Sequence, residues 1–407
     1  MKVAILKERR ADETRVAAVP ETVKKLVALG LDVVVEKGAG KSASVPDAAY
    51  RDAGAIIASD PKSTLKGADI VLKIRSPMIA GEAVDELANF SAGQILICQM
   101  YALRDPDRAA VLAATGVTGF ALDMAPRITR AQSMDILSSQ SNLAGYKSVL
   151  DAAAEFGRAF PMMMTAAGTI APARVLVMGI GVAGLQAIAT AKRLGAIVSA
   201  TDVRPDTKEQ VESLGGAFIA VEDEEFAAAQ TSGGYAKEMS LEYQEKQAAL
   251  IAQTIAKQDI VICTALIPGR PAPELISEAM VKTMKPGSVI VDLAVEAGGN
   301  CPLSRMGKVV VKHGVKIVGH ANVPGRIADD ASRLFSRNLL SFLTPMINTE
   351  SKALNIDYED EIIAGTLITR DGEVVHEAIR QAAAKPPAKS KSGKAPAETQ
   401  ELVDGNG

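Results

Sequence analysis

The chain has 407 residues, of which 48% are hydrophobic and 23% charged, with a formal net charge of −3 and a pI of about 5.8. That length exceeds one ordinary core and implies two lobes with a cleft between them, while the mild acidity argues against a nucleic-acid surface, which needs clustered Lys and Arg. The start, Met1 to Glu8, runs into charge too soon for a secretory leader, no apolar run is long enough to span a bilayer, and Cys98, Cys263 and Cys301 lack metal-ligand or disulfide spacing; a cytoplasmic protein without direct membrane insertion and without a metal is expected.

Residues 1 to about 125 alternate short apolar runs with amphipathic segments. Val3 to Leu6, Val33 to Val35, Ala55 to Ala58, Ile70 to Ile74, Ile95 to Cys98 and Val117 to Leu122 read as strands, and Pro20 to Leu29 and Pro106 to Ala114 as helices between them. The alternation predicts an α/β fold with a mainly parallel sheet. A polar stretch from Pro126 to Asn142 interrupts it, after which Leu143, Tyr146, Val149, Leu150, Ala153 and Ala154 recur at helical spacing up to Gly157 and predict a long connecting helix. Met162, Met163 and Met164 then read as adaptable core packing.

A second α/β unit begins at Arg174 to Met178 and continues through strands at Ile197 to Thr201, Ala217 to Ala220, Asp259 to Thr264, Ser288 to Leu293 and Lys316 to Val318. Six strands with intervening helices match a doubly wound dinucleotide-binding fold. The helical stretch Ala331 to Leu343 is expected to return and pack on the first lobe. The expected organisation is therefore a discontinuous first α/β domain, 1–137 plus 326–380, a Rossmann domain, 138–325, and a tail, 381–407, whose Ala, Lys, Pro and Ser composition has no core to bury.

Gly179-Ile180-Gly181-Val182-Ala183-Gly184 lies directly after an apolar strand and before a helical run. In that context the first glycine permits a tight turn, the second lets backbone approach a pyrophosphate, and the third allows close helix–strand packing, while the helix N-terminus offers free N–H groups to the phosphates. Asp202 ends the next strand, where a carboxylate accepts from adenosine ribose hydroxyls and repels a 2′-phosphate, so NAD is favoured over NADP; Arg204, two residues on, is of a type that accommodates that phosphate and weighs slightly the other way. The stretch Glu222 to Ser240 is long for a connection inside a compact domain, and either a lid with Tyr235 as its contact or a plain insertion fits its composition. No evident general base of the kind an alcohol or amine dehydrogenase needs appears, since none of His313, His320 and His376 falls in a strand-to-helix turn of the first lobe. The polar stretch instead supplies Arg127, Gln132, Asp135 and Ser138, groups suited to orienting a carboxamide or to pairing with one another.

Four passages carry a family resemblance: Arg127 to Asp135, the glycine turn, Ala265 to Pro273, and Val291 to Asn300. Over residues 1 to about 380 the chain resembles the alanine dehydrogenase and transhydrogenase family, and within it the soluble NAD(H)-binding component of proton-translocating transhydrogenase. The resemblance implies that Arg127, Gln132 and Asp135 lie beside the nicotinamide as the catalytic residues. It also implies that the dinucleotide is bound by these with Ile128, Ser133, Ser138, Gly179, Gly181, Val182, Ala183, Gly184, Asp202, Val203, Arg204, Gly234, Tyr235, Ala265 and Leu266, and it assigns the lid reading to the Tyr235 loop. Hydride would pass from NAD(H) on this chain to NADP(H) on a beta subunit, coupled to a membrane-spanning proton-channel subunit that holds the complex at the inner membrane, with this chain forming a homodimer. The rival is alanine dehydrogenase, since Glu13-Thr14-Arg15-Val16 and Leu72-Lys73 look like its carboxylate-binding residues; against it, Tyr101 stands where that enzyme is expected to carry a catalytic His and Glu296 where it is expected to carry an Asp.

Overall fold

A computed structural model describes residues 1–227, 240–267, 269–348 and 350–384. The first lobe holds β1 (Lys2–Ile5), β2 (Asp32–Glu36), β3 (Ile56–Ala58), β4 (Ile70–Arg75), β5 (Ile95–Gln99) and β6 (Thr118–Ala121), all running parallel. Val3 and Ile5 face one apolar layer while Ala4 and Leu6 face the other, so the sheet is covered on both sides and its strands read as unbroken apolar runs. The intervening helices start where the chain provides the means: Pro20 and Pro106 sit in first turns that need no N–H from them, and the Asp105 carboxylate accepts from the Arg108 N–H.

A hairpin, β7 (Met163–Thr165) and β8 (Gly168–Ile170), precedes the second sheet. That sheet takes β9 (Arg174–Met178), β10 (Ile197–Thr201), β11 (Ala217–Phe218), β12 (Ile260–Cys263), β13 (Val289–Asp292), β14 (Lys308–Lys312) and β15 (Val315–Gly319), in the order β11-β10-β9-β12-β13-β15-β14. The first six in that row are parallel, the doubly wound order in which ligands bind at the carboxyl ends of the strands on either side of the central switch point. β14 is an antiparallel edge strand that the sequence pattern does not announce.

After β15 the helix Ala328–Leu343 returns to the first lobe and buries Phe335, Leu339, Phe342 and Leu343 in its core, with Phe342 edge-on to Phe120 at 5.6 Å. A small ribbon, β16 (Ile347–Asn348) with β17 (Ala353–Leu354), leads to β18 (Leu367–Arg370) and β19 (Glu373–Val374), which complete the first sheet in the order β19-β18-β6-β5-β4-β1-β2-β3. Among the described residues no helix is long and apolar enough to cross a membrane.

Three expectations need correction. The connecting helix spans Ile136–Glu155 and so begins inside the polar stretch, because the Asp135 carboxylate caps it and its polar residues are buried against other polar groups: Gln140 bonds Arg15 and the Ala331 carbonyl, and Ser139 bonds Asn338. Met162, Met163 and Met164 are not core; they are 60%, 43% and 75% exposed at the hairpin. The segment expected to lack structure from 381 begins as helix, since Glu377–Ala384 is continuous and anchored by the buried Ile379.

Candidate dinucleotide-binding site

The three glycines of the turn after β9 are glycines for three different reasons. Gly179 has φ +97°, and a side chain there would also meet the Thr264 hydroxyl at 2.8 Å and the Ala265 nitrogen at 3.0 Å. At Gly184 an added Cβ would sit 2.0 Å from the Gly179 carbonyl oxygen, so the helix Val182–Arg193 packs on the turn only without one. Gly181 has an ordinary φ of −92°, and an added Cβ would meet nothing within 4 Å. Neither backbone nor packing asks for glycine there. Gly181 is the helix N-cap, provides no side-chain cap, and leaves the first-turn N–H groups at an exposed end bounded by Val182 and Ala183, an arrangement that can receive an anion.

Side chains from two strand ends, those of β10 and β12, converge on this turn. The Asp202 carboxylate accepts from the Ile180 N–H at 2.6 Å, and the Thr264 hydroxyl donates to the Gly179 carbonyl at 2.7 Å. Arg204 is folded back onto Asp202, whereas Val203 is exposed. Ala265 follows Thr264, its carbonyl held by the buried Asn300 amide at 2.9 Å, and Leu266 is 55% exposed. Behind them Asp292 organises the loop after β13, its buried carboxylate accepting from the N–H groups of Ala294, Asn300 and Cys301 and from the Ser304 hydroxyl.

The Arg127 to Ser138 stretch is a short 3-10 segment, Thr129–Met134, feeding the connecting helix. Both Asp135 carboxylate oxygens are taken by Ser138, one by its N–H at 2.9 Å and one by its hydroxyl at 2.5 Å, so these two residues act as a unit. Arg127, Gln132 and Ser133 are exposed and Ile128 is half-buried. Two residues that the sequence pattern does not single out fix this loop. Asn338, on the returning helix, donates to the Ser133 carbonyl and holds Ser139. Gly145, mid-way along the connecting helix, lies against the glycine-turn helix, for a Cβ there would stand 2.1 Å from the Ala183 carbonyl oxygen. A helical glycine costs about 1 kcal/mol relative to alanine, and that cost is a signal, legible only in hindsight, of backbone-to-backbone contact. Gly234 and Tyr235 lie outside the described residues.

In the first lobe the candidate carboxylate-binding cations are already spoken for. Arg15 is buried and grips Glu13 with Nε and Nη2, both at 2.7 Å, and Gln140 with Nη1 at 2.8 Å. Burial alone would raise the Glu13 carboxyl, yet the Arg15 guanidinium holds it below its ordinary value. Lys73 has no exposed surface and sits between Glu8 at 3.2 Å and Glu86 at 3.0 Å. Desolvation works against its charge, and the two carboxylates more than compensate, holding its pKa above the usual lysine value. Tyr101 adopts φ +51° because Asp123 accepts both the Met100 and Tyr101 N–H groups, and its ring lies 4.9 Å from the Arg75 guanidinium carbon. Glu296 closes the far wall, its carboxylate accepting from the Asn322 N–H and its carbonyl from Arg104 of the first lobe.

Family models for the N-terminal and C-terminal domains of alanine dehydrogenase/PNT match residues 4–144 and 148–377. The chain is 62% identical over 379 residues to an NAD(P) transhydrogenase alpha subunit of Rhodospirillum rubrum, covering 93% of this chain and 99% of that one. Among solved structures, a transhydrogenase from Sinorhizobium meliloti superposes with a TM-score of 0.83 at 53% identity, covering 92% of this chain and all of the other. Alanine dehydrogenase of Bacillus subtilis is 29% identical over 393 residues, covering 93% of this chain and 94% of the relative.

Proposed function

The chain belongs to the alanine dehydrogenase/PNT family, and from that premise we propose that it is the NAD(H)-binding component of a proton-translocating transhydrogenase, acting with NADP(H) held by a partner beta subunit. The observation that carries the nucleotide site is Gly181, a glycine that neither φ nor packing requires, at the open N-terminus of a helix. The helix N-terminus receives the pyrophosphate, and Asp202, with Val203 and Arg204, receives the adenosine ribose. Ala265 and Leu266 line the path onward. Arg127, Gln132 and Asp135, with Ile128, Ser133 and Ser138, hold the nicotinamide end, Asp135 and Ser138 fixing each other and Asn338 fixing the loop backbone.

When bound, the dinucleotide supplies a hydride at C4 of its dihydronicotinamide. Transfer to a second nicotinamide releases no substrate proton in that step, so this chain's contribution is to bind, orient and exclude water, and a general base is not needed. The paired state of Arg15 and Lys73 supports this over amino-acid oxidation: a substrate carboxylate would have to displace Glu13, Glu8 or Glu86 from charges that they already neutralise. In this reading residues 1–137 with 326–380 form one wall of the cleft and 138–325 the other. A membrane-spanning proton-channel subunit completes the complex and places this chain at the inner membrane on its cytoplasmic side. The exposed Met162, Met163, Met164 and Ile170 of the hairpin suit the homodimer.

The test is a pair of assays on the purified chain. NADH should reduce an NADP analogue only when the NADP(H)-binding partner is added, and L-alanine with NAD should yield no NADH above background. Sustained NADH formation from alanine would overturn the proposal in favour of the dehydrogenase.

A further inference from the structure

The carboxylate at the end of β10 is saturated from within the chain. Asp202 Oδ1 accepts the backbone N–H and the Nε–H of Arg204, both at 2.9 Å, and Oδ2 accepts the Ile180 N–H at 2.6 Å and Nη2–H of Arg204 at 2.9 Å. Nη2 also donates to the Ile180 carbonyl at 2.9 Å, in the middle of the glycine turn. Arg204 thus meets Asp202 through a planar two-point fork, with the Asp202 side chain 6% exposed. Lys208, on the helix Thr207–Ser213 that follows, is engaged too, its Nζ donating to both carboxylate oxygens of Glu222 at 2.6 and 2.8 Å.

A 2′-phosphate carries up to two negative charges and is recognised by an arginine whose donors are available. Here an arginine stands two residues past the ribose-binding carboxylate, with its charge neutralised and its fork turned inward. We propose that Arg204 is a latent 2′-phosphate ligand, and that Asp202 selects NAD(H) by withholding that ligand as well as by its own repulsion. The inference rests on the glycine turn being the NAD(H) site. Asp202 then has three tasks: it pins the turn through the Ile180 N–H, it accepts a ribose hydroxyl in place of one of its internal donors, and it keeps Arg204 on the turn carbonyl. Removing its charge while keeping its shape undoes the third task, because an amide gives Arg204 one acceptor oxygen in place of two and no counter-charge.

The experiment measures binding, without turnover. The full chain, its Asp202→Asn variant and the double variant Asp202→Asn with Arg204→Gln are titrated calorimetrically with 5′-ADP and 2′,5′-ADP at one fixed ionic strength. The expected result is that wild type prefers 5′-ADP. Asp202→Asn should gain affinity for 2′,5′-ADP by roughly ten- to a hundred-fold, the scale of one charge-assisted pair, and the double variant should lose most of that gain, keeping only the part that comes from relief of the Asp202 repulsion, while still binding 5′-ADP, which shows that its site is folded. A gain that survives Arg204→Gln undiminished, or an Asp202→Asn variant that binds 5′-ADP and gains nothing, would overturn the inference and leave the NAD(H) site standing. Equal binding of both probes by wild type would instead overturn the NAD(H) reading beneath it. Asp202→Ser repeats the measurement should the asparagine variant fail to fold.

Discussion

The carboxyl ends of the two parallel sheets are furnished in opposite ways. At the first sheet the chain has placed full charges and then cancelled them inside the protein: Lys73 against Glu8 and Glu86, Arg15 against Glu13. At the second, the turn after β9 ends in the first-turn N–H groups of an exposed helix start, which have no partner within the helix, with a glycine whose missing side chain leaves room that no atom of the described residues fills. The lesson is that charge alone does not mark a binding surface. A buried, fully paired cation is scaffold, whereas an open backbone edge with no net charge of its own is where an anion finds partners.

The largest effect expected from this contrast lies in the first lobe. Lys73→Met leaves Glu8 and Glu86 buried without their counter-ion, and removal of one member of such a cluster costs about 3 to 5 kcal/mol. Burial already pushes the Glu8 carboxyl above its ordinary value, so in the variant it should take up a proton more readily still. Urea unfolding at neutral pH measures the cost. A loss under about 1 kcal/mol would mean that water reaches the cluster and that Lys73 is open to a substrate carboxylate.

A smaller effect separates two glycines of one motif. Gly184→Ala forces a methyl to within 2.0 Å of the Gly179 carbonyl oxygen and should destabilise the fold by about 1 to 3 kcal/mol, an overpacking cost. Gly181→Ala meets no atom of the described residues and should lower the thermal midpoint far less than Gly184→Ala does, by no more than the loss of a favourable N-cap, while weakening NADH binding. Thermal melts and NADH titrations on both variants check this. If Gly181→Ala bound NADH as wild type does, the open space at that position would have no ligand role.

Much of this architecture is legible in the sequence. The bounds of β9 and β10 fall where the sequence pattern puts them, β9 because a strand buried on both faces is written as a near-continuous apolar run, Val175 to Met178, and β10 although Ser199 interrupts its run. The glycine turn is legible because strand, turn and helix are contiguous. What stays hidden depends on partners distant in sequence. Ser139 and Gln140 look solvated until Asn338 and Arg15 arrive from elsewhere in the chain. Met163 looks like core until the hairpin projects it outward. Gly145 is one of 33 glycines until the second helix crosses it, and Arg204 reads as a possible phosphate ligand until its fork is seen closed on Asp202.

In the proposed function the second lobe holds the dinucleotide while the loop at the start of the connecting helix places its reactive end for a partner. That division is tested most directly by Gln132→Asn, measured twice: for NADH affinity by titration, and for the rate of hydride transfer with a saturating NADP(H)-binding partner. Gln132 is exposed, so the change leaves the fold alone, and it shortens the side chain by one methylene, a displacement of about 1 Å that costs on the order of 100-fold when reacting atoms must meet near contact. The account predicts that affinity stays close to wild type while the rate falls by about that factor. A wild-type rate in the variant would contradict it, and the positioning role would have to be sought away from Arg127, Gln132 and Asp135.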